Sequence, residues 1–194
     1  MKSGSKKSSS AQLELFDEGL LLEFIVSAHK TRFGLHYEFR IDCGSDSIEF
    51  RLPHGFSLNP AQARRALLES AEPSRNLAAP ESCLPLEGGD KEVLMRWDQG
   101  TLEVQGDERL SQSERLAAGL RCGKLNVQIY GAKLHGVWTL EQDRRGWWVK
   151  KQKDRFASTR NILRENWSVL TRRPFPLVAA EYGVHDGVRF QPAA

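Results

Sequence analysis

Between residues 20 and 152 the chain keeps repeating one device. A run of six to eight residues is apolar at every second position, or rich in β-branched and aromatic side chains, and is closed by a turn containing Gly or Asp. Such runs fall at residues 20–27, 35–41, 47–52, 92–98, 101–106, 124–131, 136–142 and 146–152. A period of two sends alternate side chains to opposite faces, which is the signature of strands with one face on a core. The punctuation is Cys43-Gly44-Ser45-Asp46, Asp98-Gln99-Gly100 and Arg144-Arg145-Gly146. So many short strands at this spacing predict a mainly β barrel or sandwich rather than alternating βαβ units.

At 194 residues the chain can bury one real core. Cys43, Cys83 and Cys122 are far apart and form no CxxC, which argues against a disulfide framework or zinc knuckle and for a reducing cytoplasm. No apolar run approaches the roughly 20 residues that span a bilayer, and no apolar stretch follows the first lysines as in a secretion signal. No membrane partner is therefore expected.

Three segments carry helical signals. Residues 59–70 open on Asn59-Pro60, an N-cap followed by Pro at the first turn. Residues 111–120 are a second candidate. Residues 158–170 are the third, with Leu163, Trp167 and Leu170 on one face and Arg160 and Arg164 on another. Residues 71–91 read as a long loop, and the chain from Pro174 as irregular. The expected division is a disordered basic tail at 1–12, a β domain at 13–156, and an added C-terminal helix and extension at 157–194.

Charge is segregated. Residues 13–142 hold 20 acidic and 14 basic side chains, whereas residues 143–173 hold 10 basic and 3 acidic ones. A basic segment beside an acidic body predicts a directed electrostatic footprint, and nucleic acid is one partner it suits. Arg160, Arg164, Arg172 and Arg173 are the candidate contacts. A solvated helix face with ordinary cations has the same composition.

The chemistry-bearing segment is 28–41, AHKTRFGLHYEFRI. In a strand, Leu35, Tyr37, Phe39 and Ile41 share the core face, and His36, Glu38 and Arg40 share the other. His29 lies seven residues before His36 and can return to it across a short turn. Two imidazoles and a carboxylate can hold a divalent metal, and an adjacent Arg suits a phosphate. The same pattern also describes an exposed strand face, and two His with one carboxylate on a barrel describe non-haem iron oxygenases too. His54, at a strand end, and Arg64, on the expected helix after Pro60, are further basic candidates. No Walker loop, GxGxxG, GxSxG or HExxH is present.

The runs HKTRFGLHYEFRI, RLPHGFSLNP, RWDQGTLEV and GKLNVQIYGAKLHGVWTLEQDRRGWWVKKQKD together resemble the 3′-phosphoesterase domain of the bacterial ligase D family, over roughly residues 21–156. The resemblance implies a small closed β-barrel with few helices. It implies manganese, or a similar divalent ion, and the removal of a 3′-terminal ribonucleoside and then a 3′-phosphate from DNA ends during end joining. Carried over by position, His29, His36 and Glu38 would be the metal ligands, and Arg40 and Arg64 would hold the phosphate, with His54 standing where the family has Lys. DNA 3′ ends, and a DNA ligase or polymerase of end joining, would be the partners.

The sequence also departs from that pattern. Glu38 stands for Asp, and the spacing from His29 to His36 is one residue longer. In ESAEPSRN, Glu72 and Asn76 stand where the family has a phosphate-binding His and Tyr. A carboxylate there repels phosphate. A catalytically degenerate module that binds DNA ends or a protein in repair is therefore the alternative function.

Overall fold

The computed structural model describes residues 21–43, 46–70, 79–85 and 90–184. The basic tail at 1–12, Glu72, Asn76 and His185 lie outside these residues. The strands are β1 (Leu22–Thr31), β2 (Gly34–Cys43), β3 (Asp46–Leu52), β4 (Ala63–Ser70), β5 (Glu81–Pro85), β6 (Lys91–Val104), β7 (Lys124–Gly131), β8 (His135–Asp143) and β9 (Gly146–Lys151). The helices are α1 (Gln112–Cys122) and α2 (Phe175–Glu181). All pairings are antiparallel, in the spatial order β1-β2-β3-β4-β9-β8-β7-β6, and β6 returns to pair with β1. The result is a closed eight-stranded barrel, with β5 added along the first half of β6.

Closure removes free edges and gives the inward side chains a common interior. Phe24, Phe39, Phe50, Phe56, Trp97 and Trp138 fill it, each at most 1% exposed. Phe56 sits at the centre of this cluster. Its ring stacks on Trp97 with centroids 6.2 Å apart, and meets Phe39 and Trp138 edge-on. Trp147 and Trp148 split as consecutive strand residues must: Trp147 packs inside against Phe50, and Trp148 lies half-buried on the outer face.

α1 begins where the sequence indicates. Ser111 is its N-cap, forms a capping box with Glu114, and the helix ends on Gly123 in the left-handed region. The other two helical expectations are corrected. Asn59 does cap a turn, its Oδ1 accepting from Ala61 N at 3.0 Å, but the chain then extends as β4 between β3 and β9. Closing the ring needs a strand here, and cross-strand packing overrides the helical preference of Ala, Arg, Leu and Glu. Arg64 and Arg65 therefore lie on opposite faces of a strand, not on a helix.

Residues 158–170 hold only a 3-10 turn at Ile162–Arg164, capped by Asn161. A continuous helix is prevented because carbonyls it would use are taken from outside. Glu165 O accepts from Trp97 Nε1 and Lys133 Nζ, and Trp167 O accepts from Lys133 Nζ. Arg160 and Arg164 consequently share no helix face. After Pro174 the chain is helical rather than irregular, with Phe175, Val178 and Ala179 of α2 buried.

Two loop expectations also change. β5 lies within the segment read as a long loop. Runs 92–98 and 101–106 form one strand, β6, because Asp98 does not make a turn. Its carboxylate accepts from the backbone N–H groups of Ala132, Lys133 and Leu134 at 2.8–3.0 Å, pinning the β7–β8 hairpin. The register slips by one where Val26 faces Asp98 and Ser27 faces Arg96, so Trp97 on β6 is the extra residue of a β-bulge.

The C-terminal segment is part of this body. Ser158 N donates to Leu58 O and Val169 N to Arg96 O, and Ile162 is 1% exposed. Among the described residues no helix is long and apolar enough to cross a membrane.

Candidate metal centre

The β1–β2 hairpin builds the site. Its two-residue loop, Arg32-Phe33, joins Thr31 to Gly34 and sets a register in which His29 pairs directly with His36. Gly34 has φ +125°, a conformation open to glycine and strained for other residues. Tyr37, Phe39 and Ile41 enter the core, and burial pushes the Tyr37 phenol up to about 12. The intervening residues His36, Glu38 and Arg40 project from the other face, and His29 joins them from β1.

These groups are close. His29 Nδ1 lies 2.6 Å from Glu38 Oε1, and His36 Nε2 lies 3.3 Å from the same oxygen. The imidazole centroids are 4.6 Å apart. One donor atom each from His29, His36 and Glu38 can be chosen so that all lie within 4.8 Å of one another. His29 and Glu38 are 2% and 5% exposed, so the donors are largely withdrawn from water.

The set suits a divalent ion. Two donors sharing a metal at about 2.0–2.2 Å stand roughly 3 Å apart, and the observed 2.6 and 3.3 Å straddle that spacing. Imidazole with carboxylate accepts manganese, iron or zinc. Glu38 reaches this point although it is one methylene longer than Asp.

A fourth residue, Glu92 on β6, was not legible in the sequence. Its Oε2 lies 3.0 Å from His29 Nε2. With Nδ1 toward Glu38, the ring is held at both nitrogens, and Glu92 fixes its plane. Carboxylates behind metal-binding histidines serve this orienting role. Glu92 is 63 residues from His29 in sequence, and only the closure of β6 onto β1 brings them together.

The other expected residues are placed differently. Arg40 lies next along the row, and its Nε donates to Asp42 Oδ1 at 2.9 Å. Arg64 pairs in register with Val149, a core residue, so it lies on the core-facing side of the wall, away from the row of His36, Glu38 and Arg40. Its Nη2 donates to Gln62 Oε1. His54 is exposed in the turn after β3.

The basic segment is partly consumed by internal contacts. Arg160 pairs with Glu165, and Arg173 pairs with Glu81 and Glu181. The Arg172 guanidinium lies over Trp167, whereas Arg164 is exposed. Lys151, fully buried, pairs with Asp154. His135 is half-buried and stacks on Phe156.

Lys133 is a further buried cation. Its Nζ sits 4.5 and 4.1 Å from the ring centroids of Trp97 and Trp167. Burial lowers its ammonium to about 8, while Asp98 and Glu165 oppose that shift. These contacts tie the C-terminal segment to the barrel. A cleft of about 740 Å³ opens on the β7–β8–β9 wall, far round the barrel from β1 and β2, and includes none of the candidate metal ligands.

The sequence model of the DNA ligase D 3′-phosphoesterase domain matches residues 27–142. The multifunctional non-homologous end joining protein LigD of Pseudomonas aeruginosa is 29% identical over 159 residues. That similarity covers 79% of this chain and 17% of the relative. The matched residues contain the whole donor cluster, including Glu92.

Proposed function

We propose that this chain, which belongs to the family of DNA ligase D 3′-phosphoesterase domains, is a divalent-metal-dependent phosphoesterase that processes 3′-phosphate or 3′-ribonucleotide ends of DNA in end-joining repair. The observation that carries the reading is the cluster of His29, His36 and Glu38, with donor atoms within 4.8 Å of one another. His29 Nδ1, His36 Nε2 and the Glu38 carboxylate would hold the ion. Such an ion, when bound, polarises a phosphoryl oxygen and makes water a better nucleophile near neutral pH.

The protein's own groups supply the rest. Glu92 fixes the plane of the His29 ring. Arg40 extends the row toward the phosphate and keeps donors beyond the Nε engaged by Asp42, because a guanidinium has five N–H groups. Asp42 is thus a positioning residue for Arg40. The burial of His29 and Glu38 keeps the local dielectric low, which strengthens charge interactions with a phosphate.

The alternative, a degenerate DNA-end- or protein-binding module, is favoured by one observation: Arg64 faces the core side rather than the donor cluster. Both readings meet one assay. Labelled primer–templates ending in 3′-phosphate or one ribonucleotide are incubated with and without Mn²⁺, beside His36→Ala. Metal-dependent product that disappears in the variant is the expected result. No product from folded, metal-loaded protein would overturn the enzyme and leave the binding module.

A further inference from the structure

We propose that the Arg32-Phe33 tip of the β1–β2 hairpin is a stacking platform for the terminal base at the DNA end, an inference that rests on the function proposed above. Phe33 is 86% exposed, the most exposed of the large hydrophobic side chains among the described residues. It stands three residues from His36 along the hairpin, about 10 Å at strand rise. The Phe33 and His36 side chains themselves close part of that gap, so the 3′-terminal base can lie on the ring while its own 3′-phosphate lies at the donor cluster.

The tip is built to hold the ring outward. Phe33 N donates to Thr31 Oγ1 at 3.1 Å, and Gly34 at φ +125° permits the two-residue connection. The backbone of the tip is thereby ordered before a partner stacks. The Arg32 guanidinium lies 4.7 Å from the ring centroid and 3.8 Å from an Asp90 oxygen, and its side chain is 64% exposed. The guanidinium covers one face of the ring and leaves the exposed face to a base, while its charge suits the anionic phosphate of a nucleotide.

A protein-docking patch would need a wider apolar surface. Here the apolar neighbour in the hairpin is Leu35, 39% exposed and paired with Lys30.

The test uses the full chain and a primer–template carrying 2-aminopurine as the 3′-terminal base. Fluorescence is first read without added metal, so that binding is separated from turnover, and product release is then measured with Mn²⁺. Phe33→Ala should weaken end binding roughly 5- to 150-fold and abolish terminal-base quenching. It should raise KM with kcat little changed, and Phe33→Trp should restore both readouts. Unchanged affinity and quenching in Phe33→Ala would overturn the platform while leaving the proposed function standing. Wild type that neither binds DNA ends nor releases product would overturn the proposed function, and the platform with it.

Discussion

Replacing Glu92 by Gln removes one negative charge while keeping an oxygen that can accept from His29. The structure bounds the consequence for metal affinity. A metal ligated at His29 Nδ1 stands about 2.1 Å from that nitrogen. The Glu92 oxygen lies 3.0 Å beyond Nε2 on the other side of the ring. The separation is about 7 Å, so a divalent ion and a carboxylate interact by about 1 kcal/mol at the dielectric of water and about 5 kcal/mol at an effective value near 20. Glu92 is partly exposed, which places the loss between these limits. Removal of carboxylates behind metal-binding histidines costs 10- to 100-fold in affinity, about 1.4–2.7 kcal/mol.

The assay is a Mn²⁺ titration of wild type and Glu92→Gln by calorimetry or chelator competition, with metal-free melting curves as the folding control. The expected outcome is a Kd raised 10- to 100-fold and a metal-free Tm within about 2 °C of wild type. A Kd within twofold of wild type would refute the reasoning. It would mean either that His29 does not ligate through Nδ1 or that the ring needs no partner to hold its plane.

Two further outcomes test the frame around the site. In Gly100→Ala the new Cβ would lie 2.1 Å from Tyr130 O and 2.9 Å from Gly131 Cα, both backbone, so β6 and β7 must part locally. A loss of about 3–5 kcal/mol is expected, read as a Tm drop of roughly 6–20 °C, and a drop under 2 °C would show that the strands can shift freely. Lys133 titrates near 8 in the folded barrel and near its ordinary 10.5 when unfolded. The unfolded chain therefore holds more protons between these values, and stability rises with pH across that window. Relative to Lys133→Met, wild type should gain about 2 kcal/mol between pH 7.5 and 9.5 in urea unfolding, and a flat difference would deny the shift.

The row His36–Glu38–Arg40 was legible because period-two alternation alone places those side chains together. The return of His29 required only that the turn be short. Glu92 was not legible, because barrel closure rather than local pattern sets it against His29. The expected helix under Arg64 fails for a related reason: Asn59-Pro60 is a sound helix start, but β4 must occupy the gap between β3 and β9. Once β4 is a strand, its register with Val149 turns Arg64 to the core side. The Asp98-Gln99-Gly100 run failed as a turn because three N–H groups from residues 132–134 claim the carboxylate. The C-terminal helix failed for the same kind of reason, since Lys133 and Trp97 take the carbonyls at 165 and 167. In these last two cases a long-range polar partner outweighed a local preference.

The two functional readings converge on Arg40. Along the donor face each described arginine of β2 and β3 already has an acid. Arg40 holds Asp42 at 2.9 Å, and Arg51 holds Glu69 at 2.6 Å. A bare phosphate meeting this face finds the positive charge largely matched, and the nearby Glu38 and Glu92 are repulsive. Partly buried ion pairs of this kind are not surrendered to a solvated anion without compensation. A divalent ion on His29, His36 and Glu38 would reverse the local sign, and Arg40 could then serve phosphate and Asp42 together through separate N–H groups.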